Sequence, residues 1–176
     1  MTASTAFGAI SGSSDDFQQV VALCESLPDY CLIGGLAINC YVEPVYTMDA
    51  DFVLAAAHLD PVRPRLTALG FEVEDHPHSL NALRPGSQLR IQFTKDRRYA
   101  DFPSRAEVRE TLGVHLRVAA LPDLLRAKIW AWSDPEHRLS KRKKDELDLI
   151  RIAEKYPQFV SQLPKELCGQ LGITGM

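Results

Sequence analysis

Asp49 and Asp51 stand two residues apart, between Met48, Ala50 and Phe52, at the start of an apolar run. Residues two apart on a strand point to the same face, so this spacing sets two carboxylates side by side. Such a pair repels itself unless a cation sits between the charges or water screens them. Hard divalent cations such as Mg²⁺ take oxygen ligands, typically one or two carboxylates together with substrate phosphates. Upstream, the apolar run Tyr30–Ile33 ends at Gly34-Gly35, ahead of a short apolar helix predicted over Leu36–Tyr41. A Gly-Gly turn before a helix lets backbone N–H groups approach a phosphate closely. A phosphate cradle followed by a two-carboxylate metal site is equipment for phosphoryl or nucleotidyl transfer. Taken singly, a Gly-Gly pair is more often a plain turn, and an Asp-x-Asp more often a solvated strand end. Their order, on predicted strand–turn–helix–strand elements, carries the functional reading.

Ile33, Gly34, Gly35, Asp49, Asp51 and Phe52 in this order resemble the signature of the polymerase-β-type nucleotidyltransferase superfamily. That signature is an apolar residue, Gly-Gly or Gly-Ser, a short gap, then Asp-x-Asp and a further apolar residue. Within the superfamily the chain is most similar to small bacterial nucleotidyltransferase-like proteins of the AbiEii toxin type. Thr47, two residues before the first Asp, and Lys144-Asp145 in a C-terminal helix carry this closer likeness, which spans roughly Asp29 to Tyr156. The resemblance implies an α/β (α+β) minimal nucleotidyltransferase fold, a small mixed sheet backed by helices. It implies metal-dependent transfer of a nucleoside monophosphate from a nucleoside triphosphate to a hydroxyl on RNA or protein. Asp49 and Asp51 would be the metal ligands for Mg²⁺ or Mn²⁺, and Gly34, Gly35, Thr47, Lys128 and Lys144 would contact the nucleotide. The implied role is that of a toxin or antiphage component restrained by a cognate antitoxin-like protein.

One position departs from the pattern. The superfamily's third carboxylate lies in the middle of a later strand. Here Leu89, Ile91 and Phe93 alternate with Arg90 and Gln92, which predicts a half-buried strand over Gln88–Phe93 with Gln92 in that place. A Gln oxygen can ligate a cation, but it is neutral and cannot act as a base. Asp96, just past the strand, is the candidate catalytic substitute, and Asp101 suits the cap of a following helix. The alternative reading is a catalytically degenerate module that binds a nucleotide or a partner without turnover.

Basic residues surround these elements. Lys95, Arg97, Arg98 and Arg105 cluster near the strand end, either to neutralise phosphate or as a solvated basic face. Lys128 shares an apolar helix face with Leu124, Leu125, Ile129 and Trp132. Its stem can be buried while its ammonium reaches the site edge, or it simply snorkels to water. Lys141–Lys144 occupy the first turns of a long helix, where positive charge opposes the helix dipole. Such a run fits a nucleotide phosphate or an RNA backbone, or a solvated turn balanced by Asp145 and Glu146.

The whole chain bounds these possibilities. It has 176 residues, 45% of them hydrophobic, enough for one core with a small helical appendage. A net charge of -3 argues against a uniformly basic nucleic-acid coat. No apolar run is long enough to predict a membrane span. Residues 1–14 lack a basic-then-apolar leader, so a cytoplasmic location is expected. Cys24, Cys31, Cys40 and Cys168 lie among apolar residues without Cys-x-x-Cys spacing and read as reduced thiols. The expected organisation is a flexible start at 1–13, a nucleotidyltransferase-like core at 14–120 and a helical part at 121–176 packed on it. In detail, Asp60-Pro61 reads as a helix start, residues 101–113 as another short helix, and Val114–Ala120 as the last strand.

Overall fold

The computed structural model describes residues 13–171. Apart from Ser13, the expected flexible start lies outside them. The elements run α1 (Ser13–Glu25), β1 (Tyr30–Ile33), α2 (Gly34–Ile38), β2 (Asp49–Leu54), α3 (Ala56–Ala68), β3 (Glu72–Asp75), β4 (Ser79–Leu83) and β5 (Arg90–Thr94). After two short 3-10 turns come β6 (Glu107–Thr111), β7 (Val114–Val118), α4 (Leu121–Ser133), α5 (Leu139–Lys155) and α6 (Lys165–Gln170). The seven strands form one mixed sheet in the order β3-β4-β5-β2-β1-β7-β6. β2 runs parallel to β5, and β1 parallel to β7; the remaining pairs are antiparallel. This is the mixed α/β plan that the sequence implies.

The chain divides into two compact units. The first comprises the described residues up to Cys40 together with Pro44–Ala120, and holds the sheet and α1–α3. Alternation along its strands separates two faces. On one face Tyr30, Leu32, Ala50, Phe52, Leu54, Leu80, Ala82, Ile91 and Phe93 are all buried. Phe52 stacks on Phe93 with ring centroids 5.6 Å apart, and Phe17 of α1 tilts onto Phe52 at 6.4 Å. Apolar burial and aromatic contact on this face hold the central strands in register. The other face carries Asp49, Asp51, Asn81, Gln92, Arg90, Glu72 and Glu74, all half-buried or exposed.

Two predicted elements differ. α3 starts at Ala56, a turn ahead of Asp60-Pro61, and carries Pro61 and Pro64 inside it. Ala56 and Ala57 are strong helix formers and extend the helix backward. Residues 107–111, expected as part of a helix, form the edge strand β6. Val108 is its apolar residue and is 70% exposed, so no period marks it as a strand. The hairpin turn supplies the reason: Leu112 and Gly113 both have positive φ, 53° and 78°, the backbone of a two-residue turn that returns the chain antiparallel as β7.

The second unit comprises Tyr41–Glu43 and the described residues from Leu121 onward, with α4–α6. Lys128 of α4 reaches both Asp145 and Asp148 of α5, with N–O distances of 2.7 Å each. Arg151 also pairs with Asp148 at 2.7 Å and donates to the Glu43 carbonyl. Tyr156 donates its hydroxyl to the Tyr41 carbonyl at 2.9 Å. The sequence spacing marks Leu147, Ile150 and Ala153 or Glu154 as the buried stripe of α5; Ala153 is buried as expected, but the rest of the stripe is Asp145, Asp148, Leu149 and Ile152. Leu147 is 46% exposed. Asp145 and Asp148 face inward, where they neutralise the half-buried Lys128 ammonium. All four cysteines are free thiols; burial pushes Cys24 and Cys40 up from the ordinary thiol value. No described helix is long and apolar enough to cross a membrane.

Candidate active site

The site begins where β1 stops. Gly34 takes φ +73°, a left-handed conformation that side chains rarely adopt. A Cβ there would overlap Asp51 Oδ2 and lie 3.1 Å from Asp51 Cγ. The Asp51 carboxylate thus occupies the space left by the missing side chain. The antiparallel β1–β2 register, with Ile33 across from Asp51, produces this approach. A Cβ on Gly35 would meet the Thr47 methyl at 3.6 Å, an ordinary contact. Thr47 in turn accepts the Asp49 backbone N–H through Oγ1 at 3.3 Å. Gly34, Gly35, Thr47, Asp49 and Asp51 therefore come together, although a loop separates the glycines from the acids in sequence.

Asn39 keeps that loop in place, a role that sequence reasoning missed. Its amide donates to the Val45 carbonyl at 2.7 Å and accepts the Val45 N–H at 3.0 Å. An Asn just after a short helix and ahead of Pro44 is the available signal, since its side chain can imitate a backbone turn.

The parallel β2–β5 register fixes the rest. Asp51 lies across from Gln92, and Asp49 across from Arg90. Arg90 donates through Nε to Asp49 Oδ1 at 2.6 Å. Gln92 is flanked on its other side by Asn81, whose Oδ1 is buried and has no hydrogen-bond partner. Across the strands the sequence Asp51, Gln92, Asn81, Glu74 forms one polar row.

Asp96 does not join them. The parallel register puts the acids of β2 level with the start of β5, whereas Asp96 follows its far end. Four residues of extended strand separate it from Gln92, about 13 Å. Asp96 instead caps the next turn, accepting the Arg98 N–H at 3.0 Å and pairing with its guanidinium at 2.6 Å. The Arg98 hydrogen bond holds the Asp96 carboxyl below the usual range. The basic cluster around it is largely matched by acids: Lys95 pairs with Asp75, and Arg105 with Asp101.

Lys128 and Lys144 belong to the second unit. Lys128 is half-buried and held by its two carboxylates, and Lys144 is exposed. Within the basic run, Lys143 pairs with Glu146 at 2.8 Å and Arg142 donates to the Trp132 carbonyl at 3.0 Å.

Among the described residues no three His, Cys, Asp or Glu side chains converge as a metal-binding group. Asp49, Asp51 and the Gln92 oxygen are the donors at hand. Two carboxylates and one neutral carbonyl suit a single hard divalent cation that completes its shell with water and phosphate.

No family model and no curated protein sequence matches the chain. Solved structures do. The lincosamide antibiotic adenylyltransferase LnuA, bound to lincomycin, aligns with a TM-score of 0.54 at 14% identity, over 78% of this chain and 96% of that one. ANT(2'')-Ia in complex with adenylyl-2''-tobramycin aligns with a TM-score of 0.57 at 14% identity, over 86% and 93%. An antigenic nucleotidyltransferase-like protein from Paracoccidioides brasiliensis aligns with a TM-score of 0.51 at 20% identity, over 90% and 86%. The chain has the fold of these nucleotidyltransferases.

Proposed function

We propose that the chain transfers a nucleoside monophosphate from a nucleoside triphosphate to a hydroxyl, with Asp49 and Asp51 holding a divalent cation; the hydroxyl oxygen bonds to the α-phosphorus as its bond to the β-phosphate oxygen breaks, pyrophosphate leaves and the hydroxyl proton passes to solvent. The observation that carries this reading is the left-handed turn at Gly34, which exists to admit the Asp51 carboxylate. Glycine takes this conformation without steric cost, and the carboxylate fills the space that a side chain there would need. Gly34 and Gly35 present backbone N–H groups to the phosphates, and Thr47 fixes Asp49 beside them. Bound Mg²⁺ or Mn²⁺ supplies positive charge for the triphosphate oxygens and the attacking oxygen. The acceptor is a hydroxyl on RNA or protein. In keeping with the AbiEii-type likeness, we assign the chain a toxin or antiphage role in the cytoplasm, restrained by an antitoxin-like partner.

The test is label transfer from each α-³²P ribonucleoside triphosphate with Mg²⁺. The acceptors are total RNA, a protein extract and hydroxyl-bearing small molecules of the antibiotic type. Wild type is expected to label RNA or protein, and Asp51→Asn to lose at least about a hundredfold of that activity. Equal labelling by Asp51→Asn would contradict the reading, and labelling of small molecules alone would replace its acceptor.

Gln92 favours a second reading, a nucleotide-binding module without turnover. Its position across from Asp51 leaves an amide where a base would stand. Turnover that appears only in Gln92→Asp supports this second reading; turnover already present in wild type excludes it.

A further inference from the structure

The β2–β5 register brings a cation, rather than a third acid, against the carboxylate pair. Arg90 lies directly across from Asp49 and binds its Oδ1 at 2.6 Å. Gln92, two residues on, brings no charge to Asp51. Two divalent cations would have to share two carboxylates, one of them already engaged by a guanidinium, which leaves few protein ligands for each. Among the described residues no further acid converges there as an additional ligand.

Stability does not account for Arg90. Its side chain is 67% exposed and that of Asp49 42% exposed, and exposed pairs of this kind contribute little to folding. The geometry suits another use. Arg90 engages Asp49 through Nε alone, so its two terminal nitrogens keep their donors for another anion. A guanidinium fork matches phosphate oxygens in a way an ammonium does not.

We propose that this is a one-cation site, in which Arg90 takes the place of a second metal ion. It holds Asp49 through Nε and offers its terminal nitrogens to a phosphate of a nucleoside triphosphate that arrives with a single divalent cation on Asp51, Asp49 and Gln92. The proposal rests on the nucleotidyl-transfer reading above and narrows it: the ligand is the mono-metal triphosphate, and the specificity residue is Arg90.

The experiment counts Mn²⁺ on the full chain by electron paramagnetic resonance, alone and with non-hydrolysable α,β-methylene triphosphates. Wild type is expected to bind one Mn²⁺ per chain with nucleotide. Arg90→Gln frees Asp49, so Mn²⁺ alone binds roughly three- to tenfold tighter, while affinity for the triphosphate analogue falls about tenfold or more. Arg90→Gln/Gln92→Asp is expected to take a second Mn²⁺. Arg90→Lys keeps the charge without the fork; it retains a count of one and shows weakened nucleotide affinity. Thermal unfolding of each variant confirms that it is folded. Two Mn²⁺ on wild type overturn the one-cation site while leaving nucleotidyl transfer standing. No nucleotide-dependent Mn²⁺ on folded wild type overturns both.

Discussion

Lys128→Met is expected to lower the unfolding free energy of the unit that contains it by about 3–5 kcal/mol. The Lys128 side chain is 14% exposed and its ammonium lies 2.7 Å from both Asp145 and Asp148. Burial pulls the ammonium toward neutrality, but Asp148 and Asp145 together outweigh it and hold Lys128 above its ordinary value of 10.5. Methionine keeps the stem and removes the charge. Asp148 keeps its bond to Arg151, but Asp145 is left buried, with its Oδ2 already lacking a hydrogen-bond partner. An uncompensated buried carboxylate is what makes the single change severe. Lys128→Met/Asp145→Leu removes both charges and is expected to recover much of the loss. The pH sign follows from the raised Lys128 value. Its contribution is complete below the unfolded value and fades only as pH rises through the higher folded one. The wild-type contribution from Lys128 is therefore flat through neutral pH. Urea unfolding followed by far-ultraviolet circular dichroism measures these changes. A loss under about 1 kcal/mol would show that the buried triad is not what holds α4 to α5.

Gly34→Ala is expected to be the most damaging change at the site itself. An alanine in the left-handed region costs about 1–3 kcal/mol of stability. Its Cβ also lands on the Asp51 carboxylate, which must shift. A displacement near 1 Å can cost about a hundredfold where groups must be aligned, so metal-dependent nucleotide affinity should fall by that order. Gly35→Ala is the control. Its Cβ meets Thr47 at an ordinary 3.6 Å and its φ is not left-handed, so stability should stay within about 0.5 kcal/mol of wild type. Urea unfolding and calorimetric titration of nucleotide on both variants separate strain from loss of the site. If Gly34→Ala binds nucleotide like wild type, the close approach of Asp51 to Gly34 does not serve the site.

The features legible in the sequence are the ones set by near neighbours. β1, the glycine pair and β2 follow from runs and spacings of a few residues, and the structure forms them where expected. What escapes depends on which distant strand lies alongside. Asp96 lies close to Gln92 in sequence, but extended backbone carries it about 13 Å away. Arg90 reads as one polar residue of an alternating strand until the parallel register sets it against Asp49. β6 is hidden because an exposed edge strand needs no apolar period, and its identity rests on the turn at Leu112-Gly113. The rule that charges face water turns the acids of α5 outward. Lys128 on the facing helix reverses that rule for Asp145 and Asp148.

The most direct measurement is a thermal-shift panel of the four ribonucleoside triphosphates, each with Mg²⁺ and with a chelator. It is run on wild type and on Asp49→Asn/Asp51→Asn. A nucleotide held at about 100 times its dissociation constant adds roughly 2.7 kcal/mol to stability. The expected result is a rise with at least one nucleotide that requires Mg²⁺ and disappears in the double variant. A flat panel on wild type, or a rise that survives loss of both carboxylates, would contradict a metal-dependent nucleotide site at Asp49 and Asp51.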